Sequence, residues 1–204
     1  LALFNISVFA FQTRASEKLS IARIGVDEGL PHTDVTSVCQ DKRGFIWIGT
    51  LGGLCRYDGV ELKIISASED GLPSSRINCL GIDCNDYLYV GTEDSWICVM
   101  NAETLEVLHR IRLSSGMVNE ICCSSSGGVW FFSDNGISSL NLVENSYQIK
   151  SWSIDHPILG GCEIRESDGL FLATAYGLGV FRDGILSYET RSGYTNSITP
   201  YDDG

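Results

Sequence analysis

The chain is short of basic charge: 14 Lys and Arg stand against 26 Asp and Glu, a formal net charge of −12. A surface that acidic repels phosphate backbones, so nucleic acid is excluded as a partner of this segment. Proline and methionine are scarce, at 4 and 2 residues. Long hydrophobic runs are missing too: LALFNISVFAF, at positions 1–11, falls short of the ~18 apolar residues a membrane helix needs. No two of the 8 cysteines form a C-x-x-C, and His32, His109 and His156 never lie at ligand spacing from a cysteine. A Gly-rich phosphate loop with its lysine, H-E-x-x-H and G-x-S-x-G are all absent. The sequence therefore predicts no metal, no cofactor and no catalytic residue in this segment.

What is abundant is glycine, at 22, and aromatic residues, at 4 Trp, 8 Tyr and 8 Phe. Together they point to many short strands joined by tight turns. The apolar opening, followed by polar QTRASEKLS, reads as the h-region of a secretory signal. Val8 and Ala10, or Thr13 and Ala15, supply the small residues of a cleavage site. With no basic segment ahead of it and Leu first, positions 1–20 are expected to be a truncated signal peptide or signal anchor; an edge strand is the alternative. Export would permit disulfides. The cysteines are irregularly spaced, and adjacent Cys122 and Cys123 point to opposite faces of a strand, so most are expected to be small buried hydrophobes, with room for one bridge.

Self-similarity decides the fold class. Trp47, Tyr89, Trp130 and Phe171 recur at spacings of 42, 41 and 41 residues. Six residues after each come Gly53, Ser95, Gly136 and Gly177; twelve before each come Val35, Ile77, Val118 and Leu159. Thr50, Thr92 and Thr174 close three of the anchor strands. Within the first repeat, Val35–Gln40 meets the turn Asp41-Lys42-Arg43-Gly44, then the strand Phe45–Ile48. Gly52-Gly53 leads to a third strand, and Asp58-Gly59 to a fourth at Val60–Ile65. Equivalent turns recur at Asn85-Asp86, Ser126-Gly127-Gly128, Asp134-Asn135-Gly136, Ser167-Asp168-Gly169 and Asp183-Gly184. Four short antiparallel strands per repeat make the blade of an all-β propeller. Helical repeats fail, because no stretch sustains i, i+3, i+4, i+7 apolar spacing; AETLEVLHRIRL, at 102–113, reads as a turn and an outer strand.

At these residues the sequence resembles the two-component regulator propeller repeat, GL-x(3–4)-V-x-x-I-x-x-D-x-x-G-x-[IL]-W-I-G-T-x-x-G-[LI]-x-x-[YF]. Repeat one matches from Gly29-Leu30 through Val35, Val38, Asp41, Gly44, Trp47-Ile48-Gly49-Thr50 and Gly53-Leu54 to Tyr57. Repeat two keeps Gly71-Leu72, Ile77 and Tyr89-Val90-Gly91-Thr92 but carries Ser95-Trp96, and repeats three and four are more degenerate. The blades are placed at about 29–69, 70–113, 114–154 and 155–193, with a fifth opening at 194–204. The resemblance implies part of a seven-bladed ring, left as an open arc, in the periplasmic sensor region of a hybrid two-component histidine kinase. Its kinase module would lie elsewhere in the polypeptide, its ligand would be an oligosaccharide or another periplasmic molecule, and a homodimer is compatible with it. The alternatives are a secreted binding scaffold without signalling and, less favoured, a propeller hydrolase or lyase.

Ligand contacts are expected where repeats differ, in loops on one face of the ring. The segments leading into the innermost strands qualify: His32, Thr33 and Asp34 in repeat one, and Ser74, Ser75 and Arg76 in repeat two. Arg76 could pair with a uronate or sulfate. Trp152 and Tyr176 break their columns and are candidate stacking platforms. Asp41, Asp58, Asp134 and Asp183 read as turn residues, and the four anchors and Trp96 as blade core.

Overall fold

The computed structural model describes residues 23–124, 127–143, 146–163 and 169–189, together with Thr195 and Ile198. The expected leader at 1–20, most of the expected fifth repeat, and Ser126, Ser167 and Asp168 of the expected turns lie outside the described residues. A single 3-10 turn, Val26–Glu28, precedes four antiparallel sheets of four strands each. The first blade is β1 (Val35–Gln40), β2 (Ile46–Thr50), β3 (Gly53–Tyr57) and β4 (Leu62–Ile65). The second is β5 (Ile77–Ile82), β6 (Tyr87–Thr92), β7 (Trp96–Asn101) and β8 (Val107–Arg112). The third is β9 (Val118–Cys123), β10 (Val129–Ser133), β11 (Gly136–Val143) and β12 (Ser146–Ser153). The fourth is β13 (Ile158–Glu163), β14 (Gly169–Thr174), β15 (Gly177–Arg182) and β16 (Ile185–Tyr188). The first strands pack in series, β1 on β5, β5 on β9 and β9 on β13, so the four blades form an open propeller arc.

The turns follow from their residues. In the first β1–β2 turn, Asp41 Oδ1 accepts from the N–H groups of Arg43 and Phe45, each at 3.0 Å, and Gly44 supplies the left-handed φ of 88°. Asp83 does the same work in the second blade, accepting from Asn85 N at 2.8 Å and Tyr87 N at 2.9 Å. Asp58 Oδ1 caps Val60 N and Glu61 N at 2.8 and 2.7 Å; pairing therefore starts at Leu62, not at Val60, which is 86% exposed. At the turn between the second and third strands of a blade a buried hydroxyl accompanies the return: Thr50 Oγ1 donates to Gly53 O at the β2–β3 turn and Thr174 Oγ1 to Gly177 O at the β14–β15 turn, at 2.8 and 2.9 Å. The third blade, without threonine, uses Ser133, whose Oγ donates to Gly136 O at 2.8 Å.

The apolar core is a series of slabs between blades. Trp47, Leu54 and Ile65 meet Ile77, Leu80 and Leu88 between blades one and two. Tyr89, Ile97 and Val99 meet Val118, Ile121 and Phe131 between two and three, and Phe132 and Ile137 meet Ile158, Leu170 and Phe181 between three and four. Glycine makes the contact close: a Cβ on Gly49 would sit 2.7 Å from Ile77 Cγ2, and one on Gly91 would sit 2.9 Å from Val118 Cγ1. Each innermost strand skips one residue in its pairing, and in the first three blades the skipped side chain crosses to the next blade. Thr36 Oγ1 donates to Ile77 O, Asn78 Nδ2 to Val118 O and Asn119 Nδ2 to Ile158 O, at 3.0, 2.6 and 3.0 Å.

Two expectations need correction. The inward apolar position of blade four is Ile158, fully buried and paired with Thr174, and not Leu159, which occupies the skipped position. The cause is the β13–β14 connection, one residue longer than its counterparts, which shifts the count from Phe171: Cys162 pairs with Phe171 where Cys39 pairs with Trp47. Secondly, all eight cysteines are free thiols, and Cys84 is exposed. Burial drives the others up, Cys55 and Cys122 to about 11, and Cys39, Cys98 and Cys123 to about 12, so they are inert protonated hydrophobes.

Candidate functional site

The segments leading into β1, β5, β9 and β13 lie at the same end of the arc as the turns β2–β3, β6–β7, β10–β11 and β14–β15. Backbone bonds tie the two together: Leu51 N to Asp34 O at 3.3 Å, Glu93 N to Arg76 O at 3.1 Å and Asp134 N to Met117 O at 3.2 Å. This loop face carries most of the expected contact residues.

In blade one, Asp34 N donates to His32 Nδ1 at 3.0 Å. Thr33 Oγ1 lies 3.4 Å from Asp34 Oδ1. In blade two, Ser74 Oγ donates to Asp94 Oδ2 at 2.5 Å and also accepts from Arg76 N at 3.2 Å. Ser75 contributes its carbonyl, which accepts from Ile77 N at 3.1 Å. Arg76 Nε donates to Glu93 Oε2 at 2.5 Å, and its terminal nitrogen pairs with the same carboxylate. The guanidinium expected to receive an anionic sugar thus already holds a carboxylate. In blade three, the Ser115 and Ser133 hydroxyls are hydrogen-bonded to each other at 2.7 Å, and Asn119 Nδ2 reaches Asp134 Oδ1 at 3.3 Å.

Blade four is different. His156, only 8% exposed, meets Asp155 Oδ1 through Nδ1 at 2.9 Å and the Tyr188 hydroxyl through Nε2 at 2.5 Å. A carboxylate can only accept, so Nδ1 carries the proton and, in the neutral ring, Nε2 accepts from Tyr188. The hydrogen bond from His156 holds the Asp155 carboxyl below its ordinary range, so it stays ionised. Tyr176, in the β14–β15 turn and 60% exposed, sets its ring 4.9 Å from His156 at 80° and 6.5 Å from Tyr188 at 85°. Its N–H is anchored on Thr174 Oγ1 at 3.1 Å.

Trp152 does not join the loop face. Its ring packs between blades three and four, 5.8 Å from Trp130 and 5.3 Å from Phe181, as a partner in the slab there. Asp155, His156 and Tyr188 were not anticipated. The rule that selected His32 and Arg76, applied to the segment before β13, finds the first two; Tyr188 lies 32 residues from His156 and has no local signal. Among the described residues no group of three His, Cys, Asp or Glu is placed to hold a metal ion, and no helix is long and apolar enough to cross a membrane.

Residues 29–52 match the family model described as two component regulator propeller. No curated protein matches the sequence. Among solved structures, the chain is similar to the extracellular domain of the hybrid two component system BT3049 from B. thetaiotaomicron, at 19% identity and a TM-score of 0.69, covering 85% of this chain and 27% of that one. It is also similar to the extracellular domain of BT4673 from the same organism, at 20% identity and a TM-score of 0.66, covering 82% and 25%. Virginiamycin B lyase from Staphylococcus aureus shares the fold at 16% identity and a TM-score of 0.63, covering 78% of this chain and 56% of the lyase. The chain thus spans about a quarter of the extracellular domains it resembles, and a fold shared by a lyase and by sensor regions does not itself choose a function. Residues 29–52, which open the first blade, thus match a two component regulator propeller repeat, and the described chain is a propeller arc of four blades.

Proposed function

We propose that this chain is the ligand-sensing part of a hybrid two-component sensor, exported to the periplasmic side of the inner membrane, which detects an oligosaccharide and relays its occupancy to a kinase elsewhere in the polypeptide. The observation that carries this reading is the loop face. Slab residues repeat from blade to blade, whereas the loops at one end differ: His32-Thr33-Asp34, Ser74-Ser75-Arg76, Ser115 with Asp134, and Asp155-His156 with Tyr176. A repeated scaffold with variable loops at one end is how repeat proteins build binding surfaces. The match of residues 29–52 to the two component regulator propeller model supports the sensing role. In this reading the chain has no chemistry of its own. It binds through exposed hydroxyls, carboxylates and Tyr176, works beside further blades of the same polypeptide, and acts in a homodimeric receptor.

A glycan array probed with the intact sensor tests this reading. Binding that is confined to one glycan class, and is weakened by substitutions on the loop face, is the expected result. No binding to any glycan would refute oligosaccharide sensing.

A further inference from the structure

Tyr176 and Tyr188 meet with ring planes at 85° and centroids 6.5 Å apart, and two rings so crossed form two walls of a corner. His156 braces both: its ring stands at 80° to Tyr176, 4.9 Å away, and its Nε2 holds the Tyr188 hydroxyl at 2.5 Å. Tyr176 is therefore fixed in orientation while 60% of its surface stays open to solvent. On the other side of the imidazole is the fully exposed carboxylate of Asp155, which accepts a hydrogen bond from His156 Nδ1 at 2.9 Å.

We propose that Tyr176, Tyr188 and Asp155 form a recognition corner for an organic ammonium group, such as that of a choline-type headgroup or an amino sugar. The π faces of tyrosine attract a cation through their quadrupole, and the carboxylate across the imidazole adds a field of the same sense, so an alkylated or primary ammonium is selected over a neutral group of the same shape. The rest of the loop face agrees in sign. Arg76 is engaged by Glu93, while Asp34, Asp94 and Asp134 surround the same end of the arc. An overall charge of −12 further raises the local concentration of cations. The inference rests on the loop face being the ligand face, and it narrows the ligand class away from uronates and sulfated sugars.

The test is a thermal-shift and calorimetric titration of the full chain with choline and with glucosamine, each against 3,3-dimethyl-1-butanol, the uncharged isostere of choline. A saturable shift with at least one ammonium compound and none with the isostere is expected. Tyr176→Ala should abolish the shift, Tyr176→Phe should keep it, and Asp155→Asn should weaken affinity about tenfold. Tyr176 is exposed, so its variants fold, and circular dichroism verifies this. Equal binding of the isostere, an ammonium shift that survives Tyr176→Ala, or no shift with either ammonium would overturn the corner. Glycan binding by the intact sensor that ignores both the amino group and Tyr176→Ala would overturn it while leaving the sensing function intact.

Discussion

Trp47 donates its indole N–H to Asp41 Oδ2 at 3.0 Å, six residues back along the chain, in a fully buried site. The same carboxylate closes the β1–β2 turn through its other oxygen, so one aspartate ties the blade's turn to the largest side chain in its slab. Tyr89 repeats the arrangement, its hydroxyl donating to Asp83 Oδ2 at 3.2 Å. Blade three has Ser124 where an aspartate would stand, and the carboxylate comes from the next blade. Glu163 accepts from Trp130 Nε1 at 3.2 Å and from Ser124 Oγ at 2.6 Å. Phe171, the fourth anchor, has no polar tip and needs no acceptor.

Trp47→Phe should therefore cost more than its lost volume, because it strands a buried oxygen of Asp41, for a total of about 2–4 kcal/mol. Asp41→Ala should cost at least as much, by freeing two backbone N–H groups and the indole. The double variant should fall short of the sum by about 1 kcal/mol or more. Urea unfolding of the three variants measures this; strict additivity would contradict a direct Trp47–Asp41 bond.

A Cβ on Gly49 would approach Ile77 Cγ2 at 2.7 Å across the first blade interface. Gly49→Ala should destabilise by about 1–3 kcal/mol through overpacking, and Ile77→Ala by about 2–4 kcal/mol through the cavity it leaves. Together they should cost clearly less than the sum, since each makes room for the other. An additive pair in thermal or urea unfolding would mean that the blades do not pack through this contact.

Glu120 sits between blades three and four, where its Oε2 accepts from Gly161 N at 3.1 Å and occupies the space a Cβ on Gly160 would fill. Burial raises its carboxyl above the ordinary 4.5, only partly offset by that hydrogen bond. A carboxyl raised on folding favours the folded state while protonated in both states, and that advantage is lost as pH climbs through the folded value. Glu120→Gln keeps an acceptor for Gly161 N without the charge. Its midpoint of thermal unfolding should exceed wild type at pH 7.5 and converge with it at pH 4. A lower midpoint at pH 7.5 would show that the carboxylate is stabilising.

The blades were legible because their anchors, Trp47, Tyr89, Trp130 and Phe171, must fill the same slab in every repeat, and spacing alone exposes that demand. Register in blade four was not: Ile158 and Leu159 are both apolar, and one extra residue in the following connection makes either fit the column. The loop face was found in part. Local position identified His32, Asp34, Ser75 and Arg76, but the pairing of Arg76 with Glu93 is formed across a strand and a turn, 17 residues away, where no periodic signal reaches. Trp152 looked free because it broke its column, yet the neighbouring blade's Phe181 covers it.

The central claim is that the loop end of the arc receives the ligand. Hydrogen–deuterium exchange of the intact sensor, with and without the strongest glycan from the array, tests it most directly. Slowed exchange is expected at 31–36, 51–53, 74–77, 93–95, 154–157 and 175–177, with the opposite turns at 41–45, 83–87 and 101–106 unchanged. Protection confined to those opposite turns, or bound glycan that protects neither end, would contradict the account.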